Sequence, residues 1–224
     1  MINQYEITYE QYKILYARYL DPKRTNKLLD LAGSLEGKNV IDLCGGGGRL
    51  SRKALKRGAE EVTLIDASAT MTEHLNQWDI SVFLNTIGQG LRLLPNEDTA
   101  AAFCQQGINY WFDRNTIELL SLKMKPGGVF IFNTFNNKPR SEPDVRRYTI
   151  SGKTYVEIFW TQRIGDNDGF PTKVHHVQCV QGLPPHYNTF KWVSPTDFKR
   201  ILKTCFNKVE VFIEGKTSTY RCTK

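Results

Sequence analysis

The sequence is organised around four consecutive glycines that separate an apolar segment from a helical pattern. Residues 39–50 read NVIDLCGGGGRL, so the apolar stretch stops at Gly45 and the helical pattern opens at Arg49. This order predicts a strand, a tight turn and a helix. Glycine loses more backbone entropy on folding than any other residue, which indicates that a ligand approaches the backbone where a Cβ would interfere. A tight connection without a ligand is the alternative.

An acidic residue follows the next predicted strand, at residues 61–65. This strand ends in Asp66, roughly twenty residues after the glycines. In a doubly wound parallel sheet, Asp66 would lie at the carboxyl end of the neighbouring strand and accept hydrogen bonds from both hydroxyls of a bound ribose. The glycines and the acid together are much more specific than either feature alone.

Residues 40–51 (VIDLCGGGGRLS) resemble the first motif of the class I S-adenosylmethionine-dependent methyltransferases. The spaced glycines of that motif fall on Cys44, Gly46 and Gly48, so the first is replaced by another small residue. A dinucleotide fingerprint instead spaces its glycines to seat a pyrophosphate on the helix N-terminus. The resemblance implies S-adenosyl-L-methionine as cofactor, bound in this region by Asp42, Cys44, Gly45, Gly46, Asp66 and Ala67. The cationic residues that follow, Arg49 among them, are interpreted as a solvated helix face.

The resemblance implies further cofactor contacts on both sides of this motif. Tyr12, Tyr16 and Arg18 resemble a tyrosine-rich segment that covers the methionine end of the cofactor, although amphipathic helices packed on the sheet explain them as well. Met71 stands where the family packs an apolar residue on the adenine, and ordinary core packing is its alternative. Gln89 replaces the usual acid that bonds the adenine amino group. The predicted contacts outside the first motif are therefore Tyr16, Arg18, Met71, Gln89, Gly90 and Gln105.

Composition limits the classes of function. The chain has 224 residues, enough for one α/β domain with a small elaboration. Its net charge is +7, but no basic run or basic-aromatic repeat concentrates the charge, which argues against nucleic acid as a partner. Five scattered cysteines without metal-ligand spacing predict free thiols and no metal site. The first residues show no leader pattern and no segment has membrane-spanning length, so a cytoplasmic protein without a membrane partner is expected.

The segment after the small-residue strand at 100–104 is expected to face the methyl acceptor. It lacks the Asn/Asp-Pro-Pro-aromatic tetrad that holds a flipped base in amino-group nucleic-acid methyltransferases, and the Pro-Cys nucleophile of cytosine ring-carbon methyltransferases. Both absences favour a small-molecule acceptor. Aromatic walls suit a cationic or planar acceptor. The predicted substrate-binding residues are Asn109, Tyr110, Trp111 and Trp160.

After residue 135 the pattern changes to strands only, which predicts an antiparallel roof over the acceptor site. The expected fold is therefore α/β: a Rossmann-like, doubly wound seven-stranded sheet, with N-terminal helices and this roof inserted after the fifth strand. The topology resembles that of glycine and amino-sugar amine methyltransferases. The predicted divisions are a helical cap (1–36), a cofactor-binding core (37–135), the roof (136–193), and the last helix and strands of the core (194–224).

His175 and His176 are the candidate catalytic residues. They lie mid-strand in the predicted roof, where side chains alternate between faces, so one of them should face the acceptor pocket. The sequence does not say which, and a hydrogen-bonded structural histidine is the alternative for each. An amine acceptor must arrive deprotonated, whereas a hydroxyl needs a base unless it is already acidic.

The expected function is methyl transfer from S-adenosylmethionine to a nitrogen or oxygen of a small molecule by in-line displacement. Two alternatives stay open. The positive charge is compatible with an RNA methyltransferase, for which salt-dependent RNA retention is the test. The replacements at Cys44 and Gln89 are compatible with a cofactor-binding protein that has lost catalysis. Neither the acceptor nor the oligomeric state can be predicted.

Overall fold

The computed structural model describes residues 8–15, 22–136, 142–163 and 172–224. These residues form a large sheet, a smaller sheet and helices around them. The strands are β1 (Asn39–Leu43), β2 (Glu61–Asp66), β3 (Ser81–Leu84), β4 (Thr99–Gln105), β5 (Met124–Phe135), β6 (Asp144–Ile150), β7 (Lys153–Arg163), β8 (Thr172–Val180), β9 (His186–Lys191), β10 (Lys208–Glu214) and β11 (Thr217–Thr223). The helices are α1 (Tyr9–Leu15), α2 (Pro22–Ala32), α3 (Arg49–Leu55), α4 (Ala69–Thr72), α5 (Ile87–Leu93), α6 (Ile108–Trp111), α7 (Arg114–Lys123) and α8 (Pro195–Leu202).

The large sheet has seven strands in the order β10-β11-β5-β4-β1-β2-β3. The strands β3, β2, β1, β4 and β5 are parallel, whereas β11 pairs antiparallel with β5 and β10 antiparallel with β11. The chain moves outward in one direction from β1 to β3 and then returns to β4 on the other side of β1. In such a sheet the crevice at this reversal, beyond the carboxyl ends of the strands, is the usual position of a ligand site.

The smaller sheet contains β6, β7, β8 and β9 in sequence order, all antiparallel. It is inserted between β5 and α8, and we call it the roof. The predicted fold class is thus confirmed, with seven strands in the first sheet and an antiparallel insertion after the fifth strand. Residues 165–169 read GDNDG, which predicts a turn, but they lie outside the described residues.

Both faces of the large sheet are covered, as period-two alternation along buried strands requires. Ile41 and Leu43 of β1, with Phe130 and Phe132 of β5, pack into one apolar cluster with α7 and α8. The residues that alternate with them, such as Val40, enter a second cluster with α2 and α3 on the opposite face. The sheet is therefore held from both sides, which fixes the positions of the loops at its carboxyl edge.

Helix starts follow local signals in part. The hydroxyl of Ser194 accepts a hydrogen bond from the Asp197 backbone N–H at 3.0 Å, and Pro195 stands in the first turn, where its missing N–H costs no hydrogen bond. Ser68 stands at the N-cap position of α4, but its side chain makes no capping bond there, and its Oγ lies 3.2 Å from Thr70 Oγ1. None of the helices in the described ranges combines the length and apolar character needed to cross a membrane.

Candidate active site

A cavity of about 340 Å³ lies between the carboxyl edge of the large sheet and the roof. This volume is in the range of small-molecule sites, roughly 300–1,000 Å³. Its walls come from α1, the glycine loop after β1, the ends of β2 and β4, α6 and the inner face of the roof. The cavity therefore joins the segment predicted to hold a cofactor with the segment predicted to hold an acceptor.

The glycine loop needs its small residues for several reasons. Gly46 lines the cavity with a φ of 49°, in the left-handed region that favours glycine, and a Cβ there would lie 3.1 Å from Met71 Cε. At Gly47 a Cβ would lie 1.9 Å from a ring carbon of Tyr9, and at Gly45 it would lie 2.5 Å from Leu64 Cγ. Two of the glycines thus make room for protein side chains, and Gly46 keeps the backbone open toward the cavity.

Asp66 is held by the loop that it faces. Its carboxylate accepts hydrogen bonds from the backbone N–H groups of Gly46 and Ser68, both at 2.9 Å. Burial raises the pKa of Asp66, and these hydrogen bonds oppose that shift. The carboxylate lies at the cavity wall beside Ala67 and Met71, which is the placement predicted for a group that binds ribose hydroxyls.

Asp42 is hydrogen-bonded to the helix that follows the glycine loop. Its Oδ2 accepts hydrogen bonds from the Ser51 backbone N–H at 3.1 Å and from the Ser51 hydroxyl at 2.7 Å. Burial raises the pKa of Asp42 to about 7, while the two bonds from Ser51 lower it. Asp42 thereby connects the end of β1 to the first turns of α3, and its side chain also reaches the cavity wall.

The position of Arg49 contradicts the prediction that its side chain belongs to a solvated helix face. Arg49 lines the cavity, and its Nη1 is buried without a hydrogen bond to any residue in the described part of the chain. Tyr12 of α1 lies at the same wall; burial raises its pKa to about 12, and the charge of Arg49 opposes that shift. The cavity therefore contains a cationic group that is available to an anionic ligand atom.

The roof places His176 toward the cavity and His175 away from it. The ring of His176 is buried and stacks on Phe159 at 4.1 Å between ring centroids. Asn188 is opposite His176 in the register of β8 and β9, and its Nδ2 lies 3.5 Å from His176 Nδ1. His186, whose pKa is lowered by burial, lines the cavity from the same strand. The acceptor half of the cavity thus contains two histidines and an amide.

Comparison with known proteins identifies the fold of this architecture. The structure matches that of an amino pentose methyltransferase from Micromonospora echinaspora, solved with bound S-adenosylmethionine, with a TM-score of 0.69 over 97% of this chain and 98% of the other, at 12% sequence identity. The fold is that of the class I S-adenosylmethionine-dependent methyltransferases. No protein-family model matches the sequence.

Two curated proteins that are similar in sequence to this chain carry the same name. A ubiquinone biosynthesis O-methyltransferase from Bordetella avium is 29% identical over 155 residues, which cover 65% of this chain and 60% of the relative. The protein of the same name from Bordetella pertussis is 27% identical over 186 residues, covering 78% of this chain and 73% of the relative. The first of these matches spans less than two thirds of the relative's length.

Several predicted site residues of this methyltransferase fold are brought together at the cavity. The cofactor candidates that line it are Asp42, Cys44, Gly45, Gly46, Asp66, Ala67, Met71 and Gln105, and the acceptor candidates are Asn109, Tyr110 and Trp111. Asn109 also joins the roof to the core: its Nδ2 donates to the Lys191 carbonyl at 2.9 Å, and its Oδ1 accepts from Thr134 Oγ1 at 2.6 Å. Gln105 is partly engaged elsewhere, since its Oε1 accepts from Thr25 Oγ1 at 3.0 Å.

Two predicted contacts near the adenine end are placed elsewhere. Gln89 is exposed on α5, where its Oε1 accepts a hydrogen bond from Thr86 Oγ1 at 2.8 Å, and it does not line the cavity. Gly90 packs toward Ile65, where a Cβ would lie 2.5 Å from Ile65 Cγ2. Gln89 belongs to the helix α5, and Asn85, which precedes this helix, reaches the cavity wall.

His175 and Trp160 belong to the outer face of the roof, which corrects both predictions. The ring of His175 stacks on Trp160 at 4.9 Å, and its nitrogens lie 2.5 Å from Tyr187 Oη and 2.9 Å from Gln162 Oε1. Burial lowers the pKa of His175. The register aligns Trp160 with His175 and Phe159 with His176, so neither His175 nor Trp160 points into the cavity.

The remaining predicted contacts, Tyr16 and Arg18, lie outside the described residues. Sequence reasoning in turn missed cavity residues that the structure supplies: Tyr9, Asn85, Phe159, His186, Asn188 and Phe190. The signal for the last four was the alternation of the roof strands. Using it required the register of β7, β8 and β9, because a shift of one residue reverses the face on which every side chain lies.

Proposed function

We propose that this protein is an S-adenosylmethionine-dependent methyltransferase that methylates an oxygen or nitrogen of a small molecule. The observation that carries the proposal is the continuous cavity in which the glycine loop and Asp66 face His176 and the aromatic residues of the roof. The names of the curated relatives support an oxygen acceptor. The structural likeness to an amino pentose methyltransferase supports a small acceptor in general.

The residues at the core side of the cavity fit the cofactor. Gly46 leaves the loop backbone open, and Asp66 offers carboxylate oxygens to ribose hydroxyls. Arg49 offers its Nη1, which is buried without a hydrogen-bond partner among the described residues and suits the carboxylate of the methionine moiety. Tyr16 and Arg18 remain candidates for the same end of the cofactor.

Bound there, S-adenosylmethionine supplies an electrophilic methyl group on a sulfonium. The protein's part is to orient the acceptor toward this group and to exclude water. Orientation alone can contribute on the order of 7–11 kcal/mol to lowering the barrier. Tyr110, Phe159 and Phe190 form apolar walls around the acceptor position. His176 lines the same part of the cavity and is the proposed proton acceptor.

The predicted divisions of the chain take roles in this proposal. Residues 1–36 cover the cofactor, 37–135 bind it, 136–193 close the acceptor pocket, and 194–224 complete the core. The acceptor is a small molecule rather than a nucleic acid, because the roof encloses the acceptor half of the cavity. A cytoplasmic location, with reduced thiols at the five cysteines, belongs to the same proposal.

Calorimetric titration with S-adenosylmethionine and S-adenosylhomocysteine tests the cofactor site. We expect micromolar binding in the wild type and its loss in Asp66→Ala, because two charge-assisted hydrogen bonds of about 1.5–3 kcal/mol each are removed. Asp79→Ala, which removes an exposed carboxylate, is the matched control and should bind like the wild type. Absence of binding to either compound by the wild type would overturn the enzyme assignment.

A further inference from the structure

A fully buried carboxylate lies next to His176 and outside the cavity wall. Glu157 of β7 has no exposed surface, and its Oε1 is 3.9 Å from His176 Nε2. The same oxygen accepts hydrogen bonds from the Tyr148 hydroxyl at 2.9 Å and from Gln178 Nε2 at 3.0 Å. His176 lines the cavity and Glu157 does not, so the imidazole stands between the carboxylate and the acceptor position.

The strand register of the roof places Glu157 and His176 on the same face of the sheet. Glu157 is opposite Gln178, and Phe159 is opposite His176, so all four side chains are on the inner face. Glu157 and His176 are diagonal neighbours, a separation that long side chains can bridge. Phe159 stacks on the imidazole with an interplanar angle of 4°, which holds the ring in one plane. The orientation of His176 is therefore determined from two sides.

The two nitrogens of His176 have different surroundings. Nε2 is directed toward Glu157, whereas Nδ1 is directed toward Asn188, a cavity residue. A carboxylate beside one imidazole nitrogen favours the tautomer with the proton on that nitrogen and stabilises the imidazolium. Nδ1 is then the nitrogen with the lone pair, and it faces Asn188 on the cavity side. A separation of 3.9 Å is longer than a hydrogen bond, but catalytic hydrogen bonds often shorten only when the substrate binds.

Other ionisable groups also face this pair. Tyr148 and Arg146 approach from β6, where the Arg146 guanidinium lies 4.9 Å from the ring centroid of Phe159 and is paired with Asp144. His186 faces the cavity from β9, and Tyr12 faces it from α1. Arg146 and Asp144 form an ion pair at the outer end of the group, so their charges largely offset each other. Glu157 is the carboxyl group next to the imidazole.

We infer that Glu157 is a positioning residue that sets the tautomer and the basicity of His176, and that the methyl acceptor is therefore a hydroxyl compound. This inference rests on the proposed methyltransferase function. A neutral amine attacks with its own lone pair and needs no base beforehand, whereas a hydroxyl must lose its proton. The hydroxyl proton moves to His176 Nδ1 as the oxygen bonds to the methyl carbon, and the sulfur keeps the electron pair of the bond that breaks.

Titration of the histidine ring signals by NMR in the protein without ligands tests the pair directly. His176→Gln identifies the His176 signal among those of the four histidines. In Glu157→Gln we expect the midpoint of the His176 titration to move down by about one pH unit, because the removed charge no longer favours the imidazolium. Glu118→Gln, at an exposed position on α7, is the matched control and should leave the midpoint unchanged.

A second variant tests the same pair if Glu157→Gln does not fold. Tyr148→Phe removes one hydrogen bond to the carboxylate and should shift the His176 midpoint, because it changes how the charge of Glu157 is shared. A His176 midpoint that is the same in the wild type and in every folded variant of the pair would overturn the inference.

Release of S-adenosylhomocysteine with phenol, 4-nitrophenol or benzylamine as acceptor tests the substrate class. We expect methylation of the phenols, a roughly ten-fold lower kcat in Glu157→Gln with its acidic pH limb moved to lower pH, and partial rescue in Glu157→Asp. The more acidic 4-nitrophenol should lose less rate in His176→Gln than phenol does. Methylation of benzylamine alone would overturn the hydroxyl assignment. No turnover with any probe, alongside a normal NMR shift, would count against the proposed function and not against the pair.

Discussion

The two halves of the cavity are built in different ways. In the core half, Gly46 comes from the loop after β1, Asp66 from the end of β2 and Met71 from α4, which follows β2, so short segments of sequence place them. In the roof half, His176, Phe159 and Asn188 come from three antiparallel strands, and only the register between the strands brings them together. The first half depends on local backbone geometry, and the second on long-range pairing. Substitutions should therefore separate cofactor binding from acceptor handling.

The largest effect is expected in the glycine loop. Gly46→Val places a β-branched residue at a φ of 49° and a Cβ 3.1 Å from Met71 Cε. Left-handed strain of about 1–2 kcal/mol and overpacking of about 1–3 kcal/mol together predict a loss of roughly 100-fold in S-adenosylhomocysteine affinity. Gly152→Val also introduces a Cβ at a positive φ, but in the β6–β7 turn where nothing lies within 4 Å, so its affinity should stay within two-fold of the wild type. Equal losses in both variants would remove the distinction between the two halves.

A smaller effect, confined to the acceptor, is expected in the roof. Phe190 lines the cavity and contacts Tyr110 edge to face at 5.9 Å between ring centroids. Phe190→Ala should raise the KM for the acceptor by about ten-fold, because an aromatic contact of about 0.5–1.5 kcal/mol and its buried area are lost. Steady-state kinetics with the acceptor varied would measure this, while calorimetry should show unchanged S-adenosylhomocysteine binding. Tyr187→Ala removes an aromatic ring from the outer face of the same strand and should leave this KM unchanged.

In the core half, the contribution of buried Asp42 to the stability of the protein should depend on pH. Burial raises the pKa of Asp42 to about 7 in the folded protein, above its unfolded value near 4. Between these values the folded state holds the proton more tightly, so the contribution of Asp42 to stability falls as pH rises from about 4 to 7. In Asp42→Asn this fall is absent, and we expect the difference in Tm between pH 5 and pH 8 to shrink. Asp79→Asn should keep the wild-type dependence, and a similar change in both variants would contradict the assignment to Asp42.

The smallest effect is expected at a helix start that belongs to neither half. Ser194→Ala removes the cap on the Asp197 backbone N–H, which should lower the free energy of unfolding by about 1 kcal/mol. Urea denaturation would measure this loss, and Ser194→Thr should retain most of the stability because its hydroxyl can still accept the bond. Cofactor affinity and acceptor KM should both be unaffected. A change in either would show that α8 influences the site more than its position suggests.

Local signals in the sequence were sufficient for the core half. The apolar run before the glycines, the acid after the second strand and the Ser-Pro start of the last helix each act within a few residues, and β1, Asp66 and α8 have the expected positions. The exceptions are Gln89 and Gly90, which were expected in the site but do not line the cavity; Gln89 is exposed on α5. Their positions depend on how α5 packs on the sheet, which no short segment encodes.

For the roof, the sequence determined the strands and the alternation that puts His175 and His176 on opposite faces. Only the tertiary structure decided that His176 faces the cavity, that Glu157 lies 3.9 Å from it, and that Nη1 of Arg49 is buried at the cavity wall. The physical reason is the range of the interactions. Strand periodicity and caps arise from neighbouring residues, whereas facing and burial depend on which distant strand or helix covers a side chain, and a register shift of one residue would exchange the two faces.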